Sequence, residues 1–86
     1  MTQITMYFKS YCPYCQRAKA LLTEELKQKV NVIDLEKTPE HRDEMIKKSG
    51  GRTTVPQIFI NDTHVGGCDD LMAAHASGKL KEMLGL

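Results

Sequence analysis

The chain has no apolar run long enough to cross a membrane, no surplus of charge of either sign, no internal repeat, no tryptophan, and only three cysteines in 86 residues. Each shortage excludes something. Thr2-Gln3-Ile4 after Met1 supplies no basic segment leading into an apolar stretch, so neither a secretory signal nor a membrane span is expected, and the cytoplasm is the expected location. Twelve Lys and Arg interspersed with eleven Asp and Glu leave a formal net charge of +1, too little to recruit nucleic acid at long range. Small uncharged or mildly anionic partners fit better. Three cysteines cannot build a paired scaffold, and in a reducing compartment a close Cys pair is catalytic or metal-binding rather than structural. A chain of this length buries one core, so one domain over residues 1–86 is expected.

What is present is the run Lys9-Ser10-Tyr11-Cys12-Pro13-Tyr14-Cys15. It lies between a strand-like segment, in which Ile4, Met6 and Phe8 alternate with Thr5 and Tyr7, and a helix-like one carrying Ala18, Leu21, Leu22 and Leu26 as far as Lys27. Pro13 suits the first helical position, which puts Cys12 at the N-cap. A thiol there meets the positive end of the helix dipole and free backbone amides. Thiols so placed, or beside Lys, have pKa values of about 3.5–7.5 against about 8.5 for a free cysteine. Cys12 is therefore expected to attack and Cys15, turned inward one turn later, to resolve. Lys9 and the amides of Tyr14 and Cys15 are the available stabilisers. Zinc would need two further Cys or His in a matching loop, and Cys68, His41, His64 and His75 do not supply one.

Further along, Val30–Leu35 reads as a second strand reached through a helix, the form of a right-handed parallel βαβ unit. Thr38 is expected to cap a second helix that has Pro39 at its first position and ends at Gly50-Gly51. Pro56–Ile60 reads as a third strand, Asn61–His64 as a turn, and Val65-Gly66 as the return of a hairpin. A third helix is expected from Asp69 or Asp70, interrupted at Gly78 and resumed through Leu80, Met83 and Leu84. The order β-α-β-α-β-β-α makes an α/β layer, a four-stranded mixed sheet with flanking helices in the thioredoxin-like arrangement. The Cys pair would lie at the carboxyl end of the first strand, where open α/β sheets bind ligands.

Three segments together carry a family resemblance: KSYCPYC, Arg52-Thr53-Thr54-Val55-Pro56 leading into QIFI, and Gly66-Gly67-Cys68-Asp69-Asp70-Leu71. Over nearly its whole length the chain resembles the small dithiol glutaredoxins, the bacterial glutaredoxin 3 type in particular. The resemblance implies a glutathione-dependent thiol–disulfide oxidoreductase, with glutathione as cosubstrate and no metal. Its implied partners are glutathionylated or disulfide-containing proteins such as ribonucleotide reductase, met by a monomer.

The resemblance further implies a cis Val55–Pro56 bond and a backbone pairing of Val55 with the glutathione cysteine, which is strand addition to a free edge. Gly67 and the amides around Cys68 and Asp69 would hold the γ-glutamyl carboxylate. An Asp side chain, Asp69 or Asp70, would take the ammonium. The glycyl carboxylate would meet Lys9 and Arg52, and Tyr14 would flank the sulfur. Plainer readings stand beside these: solvated charges for Lys9 and Arg52, a helix N-cap for Asp69, a loop hydroxyl for Thr54, and a small buried residue for Cys68. The histidines read as structural or solvent-facing.

Two other activities remain compatible with the Cys pair. A thioredoxin-like hydrogen donor fed by a flavoprotein reductase is disfavoured by the absence of Trp and of a Cys-Gly-Pro-Cys motif. An iron-sulfur cluster carrier, bridging two chains through Cys12 and glutathione, is disfavoured by Pro13 and the second thiol.

Overall fold

The computed structural model describes residues 2–86; Met1, where the expected domain begins, lies outside the described residues. Strand β1 (Ile4–Phe8) leads into helix α1 (Pro13–Ala20), and β2 (Val30–Asp34) follows. Helix α2 (Arg42–Lys48), the hairpin of β3 (Gln57–Ile60) and β4 (Thr63–Gly66), and helices α3 (Cys68–Ser77) and α4 (Lys79–Leu84) complete the chain. The sheet order is β2-β1-β3-β4, with β2 parallel to β1 and β3 antiparallel to it. Among the described residues no helix is long and apolar enough to cross a membrane.

The period-two alternation of β1 sorts its side chains between two cores. Ile4, Met6 and Phe8 face the larger one with Ile58 and Ile60 of β3, where Ala18, Leu21, Leu22, Leu71, Leu80 and Leu84 cover them. Tyr7 points to the other face, with Phe59, Leu35 and Met45 of α2. Each fully buried aliphatic side chain contributes about 1.5–3 kcal/mol. On the second face the Tyr7 hydroxyl donates to Glu44, which pins α2 to the sheet. The Tyr7 and Phe59 rings meet edge to face, with centroids 5.9 Å apart.

Several local expectations are corrected. The first helix does not run uniformly to Lys27: after Ala20 it widens into a π-helical turn over Leu21–Glu25 and closes with the Leu26 amide on the Leu21 carbonyl at 3.0 Å. Leu21 and Leu22, three and four residues after buried Ala18, stay buried at the start of this turn. Thr38 does not cap α2, since its hydroxyl and its amide both donate to the Asp34 carbonyl at 2.9 Å. A short 3₁₀ turn over Pro39–His41 intervenes instead.

The hairpin turn is tighter than Asn61–His64. Asn61 takes φ 55° and Thr63 already belongs to β4, because asparagine tolerates the left-handed region that a two-residue turn requires. Proline has no amide to offer the ladder, and β3 begins at Gln57 rather than Pro56. Helix α3 starts at Cys68, before either Asp, because the Asp70 carboxylate reaches back to accept the Gly67 amide at 3.0 Å.

Candidate active site

Antiparallel pairing of β1 with β3 sets Tyr7 opposite Gln57. The exit of β1, which carries the Cys pair, therefore lies against the entry of β3. Cys12 is the N-cap of α1, with φ −88° and ψ 115°, and its sulfur accepts the Cys15 amide at 3.4 Å. Pro13 at the first helical position leaves no amide unsatisfied there. Cys12 Sγ also lies 3.8 Å from the Val55 carbonyl oxygen, and the Val55–Pro56 bond is cis.

The two thiols differ sharply. Cys12 is half-buried, whereas Cys15 has no exposed surface. Burial, above all, pushes the Cys15 thiol up to about 12; a backbone hydrogen bond from Lys9 opposes the shift, and Cys12 and Cys68 add to it. The Cys68 thiol is also raised by burial, at the first position of α3.

The loop before Cys12 is braced. Ser10 donates its amide and its hydroxyl to Glu36 at 2.9 and 2.7 Å, while Gln16 Nε2 donates to the Ser10 carbonyl at 2.8 Å. Nothing in the sequence gives Ser10, Gln16 or Glu36 this bracing role, since each looks like an ordinary surface polar group and nothing local ties Glu36 to Ser10.

Beside Cys12 opens a cleft of about 240 Å³. One wall is the Thr54–Val55–Pro56 segment with Gln57, the other is Gly67, Cys68, Asp69 and Asp70 at the start of α3, and Tyr14 and Arg52 stand at its margins. Sites that enclose a ligand run to about 300–1,000 Å³, so an occupant would lie along this cleft with one face in solvent. Of the ten residues expected to bind, nine line it. Lys9 does not: its ammonium lies over the Tyr11 ring, 5.9 Å from the centroid. Tyr14 is exposed, with the Arg17 guanidinium 5.9 Å from its ring centroid.

The two aspartates are no longer equivalent. Asp70 is engaged by Arg52 at 2.8 Å and by the Gly67 amide, and these two bonds hold its carboxyl below the usual range. Asp69 is exposed at the first turn of α3. Gly66 has φ +121°, and a Cβ there would run into the Asp70 carboxylate, 2.6 Å from its Cγ. Gln57, also overlooked, is 1% exposed behind the cis-proline segment and bonded to both Thr54 and His64.

An accessible helix-capping sulfur backed by a buried partner thiol is an arrangement for thiol–disulfide exchange, and on this sheet it places the protein in the class of thioredoxin-like oxidoreductases. Residues 4–65 match the family model for glutaredoxin. The chain is 49% identical over 84 residues to glutaredoxin 3 of Escherichia coli strain K12, covering 98% of this chain and 99% of the relative. To glutaredoxin 1 of Rickettsia prowazekii strain Madrid E it is 47% identical over 83 residues, covering 94% and 85%. A solved buckwheat glutaredoxin–glutathione complex matches with a TM-score of 0.87 at 33% identity, over 98% of this chain and 77% of that one. The chain belongs to the glutaredoxin family and is a thiol–disulfide oxidoreductase.

Proposed function

We propose that the protein reduces glutathione mixed disulfides and protein disulfides in the cytoplasm, as a monomer and a single domain, with Cys12 as nucleophile, Cys15 as resolving thiol and glutathione as reductant. The observation that carries this reading is the position of Cys12 Sγ, which takes the Cys15 amide on one side and reaches the Val55 edge of the cleft on the other. Half-buried at the mouth of α1, the sulfur stays open to a disulfide presented along that edge. The adjoining edge is a free backbone strip on which an extended peptide can pair.

On a glutathionylated substrate the Cys12 thiolate attacks the glutathione sulfur. The substrate leaves as a thiolate and takes up a proton. A second glutathione, as thiolate, then attacks the Cys12–glutathione disulfide, releasing glutathione disulfide and restoring Cys12. On a protein disulfide Cys12 forms the mixed disulfide with the substrate. Cys15 loses its proton as it attacks Cys12 Sγ, the substrate thiol departs, and two glutathiones reduce the Cys12–Cys15 disulfide. With its pKa raised to about 12, Cys15 keeps its proton at neutral pH and does not compete as the first nucleophile.

In the cleft the glutathione cysteine would pair with the Val55 backbone. The amides of Gly67, Cys68 and Asp69 at the α3 start would receive the γ-glutamyl carboxylate. Asp69 is the better partner for the ammonium, because Asp70 is committed to Arg52 and Gly67. Arg52 would meet the glycyl carboxylate, with Tyr14 flanking the sulfur and Lys9 outside the cleft.

A glutathione-coupled assay on a small glutathione mixed disulfide and on a protein disulfide tests the assignment. Cys15→Ser should keep the first activity and lose the second, and Cys12→Ser should lose both. Activity retained by Cys12→Ser would sink it.

A further inference from the structure

Gln57 directly follows the cis Val55–Pro56 bond and is buried, although nothing in its strand context marks it. A buried carboxamide is costly unless both ends are bonded. Here both are. Nε2 donates to the Thr54 carbonyl at 3.0 Å, with Thr54 Oγ1 3.4 Å away, and Oε1 faces His64 Nε2 at 2.8 Å. An amide oxygen only accepts, so His64 carries its hydrogen on Nε2. The His64 ring is itself placed by packing on Phe59, with centroids 4.9 Å apart and planes 31° from parallel. Phe59 is anchored in the core on the sheet face away from the thiols.

A continuous chain of contacts thus runs from that core through His64 and Gln57 to the Thr54 carbonyl. The Thr54 C=O and the Val55 N–H belong to one planar peptide unit, so holding the first directs the second. Strand addition at Val55 depends on that direction. We propose that Gln57 and His64 form a buried clamp that orients the Thr54–Val55 peptide for pairing with the glutathione backbone. They are positioning residues: Gln57 lines the cleft, but its carboxamide is engaged at both ends, by Thr54 and by His64. The clamp rests on the reading that glutathione lies along the Val55 edge.

The test compares steady-state kinetics of wild type, Gln57→Met and His64→Phe on a small glutathione mixed disulfide and on a small disulfide lacking glutathione, with Cys12 alkylation by iodoacetamide measured in parallel. Gln57→Met fills the same space without the two bonds. It should raise KM for the glutathione substrate about two- to tenfold, the span of one net hydrogen bond, with kcat and the alkylation rate within about twofold of wild type. His64→Phe keeps the ring and the Thr54 bond, and should raise KM by a smaller factor in the same direction. It also serves if Gln57→Met fails to fold. An unchanged KM in a folded variant overturns the clamp, and so does an equal loss on both substrates. Wild type with no preference for the glutathione substrate would instead overturn the underlying reading.

Discussion

Replacing Gly66 by alanine tests how the α3 wall of the cleft is held. At φ +121° an alanine sits in strained backbone, which costs about 1–3 kcal/mol. The new Cβ would also displace the Asp70 carboxylate, 2.6 Å away at Cγ, from the Gly67 amide and from Arg52. Losing a capping bond costs about 1 kcal/mol. The Arg52–Asp70 pair adds only a few tenths, because both side chains are nearly half exposed and solvent screens them. The combined destabilisation is about 2–4 kcal/mol, which for a domain of this size lowers the melting temperature by roughly 10–30 °C. The chain has no tryptophan, so the transition is followed by far-ultraviolet circular dichroism. Repeating the substitution in an Asp70→Ala background removes the carboxylate's share of the cost, leaving backbone strain and the approach of the new Cβ to the Cβ at position 70, 2.8 Å away. A Gly66→Ala protein melting within about 3 °C of wild type would refute the reasoning, as would an identical cost in both backgrounds.

Three further outcomes are expected. Native protein treated with iodoacetamide at pH 8 should take one label, at Cys12, while Cys15, raised to about 12 and without exposed surface, and the buried Cys68 react only after unfolding; two labels on native protein by mass spectrometry would contradict this. Tyr7→Phe removes the donor to Glu44 from a buried ring while the carboxylate can rehydrate, and should cost about 1–2 kcal/mol by chemical denaturation. Asp70, held below its ordinary range chiefly by Arg52, contributes stability that is present above about pH 4, the unfolded value, and is lost as pH falls through the lower folded one; Asp70→Asn should flatten that acid limb of the stability–pH curve.

The elements that sequence made legible are those with strong local signals. Apolar alternation in β1, Cys12-Pro13 at a helix mouth, and Gly50 at φ 74° after α2 each act within a few residues. The misplaced boundaries lie where a distant or backbone partner decides. Thr38 prefers the Asp34 carbonyl to a helix amide, Asp70 pulls the start of α3 back to Cys68, and the first helix gives way to a π-helical turn over Leu21–Glu25. The site divides in the same way. Cys12 and Cys15 declare themselves by spacing, and the cleft residues emerged through the family resemblance of two further segments. Gln57, Glu36 and His64 were silent because their roles are set by partners 3 to 26 residues away that only the folded chain brings near.

The antiparallel entry of β3 beside the exit of β1 has a consequence in time. Cys12 and Val55 are 43 positions apart. At a synthesis rate of about 5–20 residues per second, the thiol pair precedes its carbonyl edge by roughly 2–9 s. Given an oxidant, Cys12 and Cys15 need no distant part of the chain to close a disulfide, whereas the strip that would align a reducing tripeptide does not exist until the hairpin docks. On the proposed reading, a newborn chain therefore presents its thiol pair before the edge along which glutathione would be aligned to reduce it.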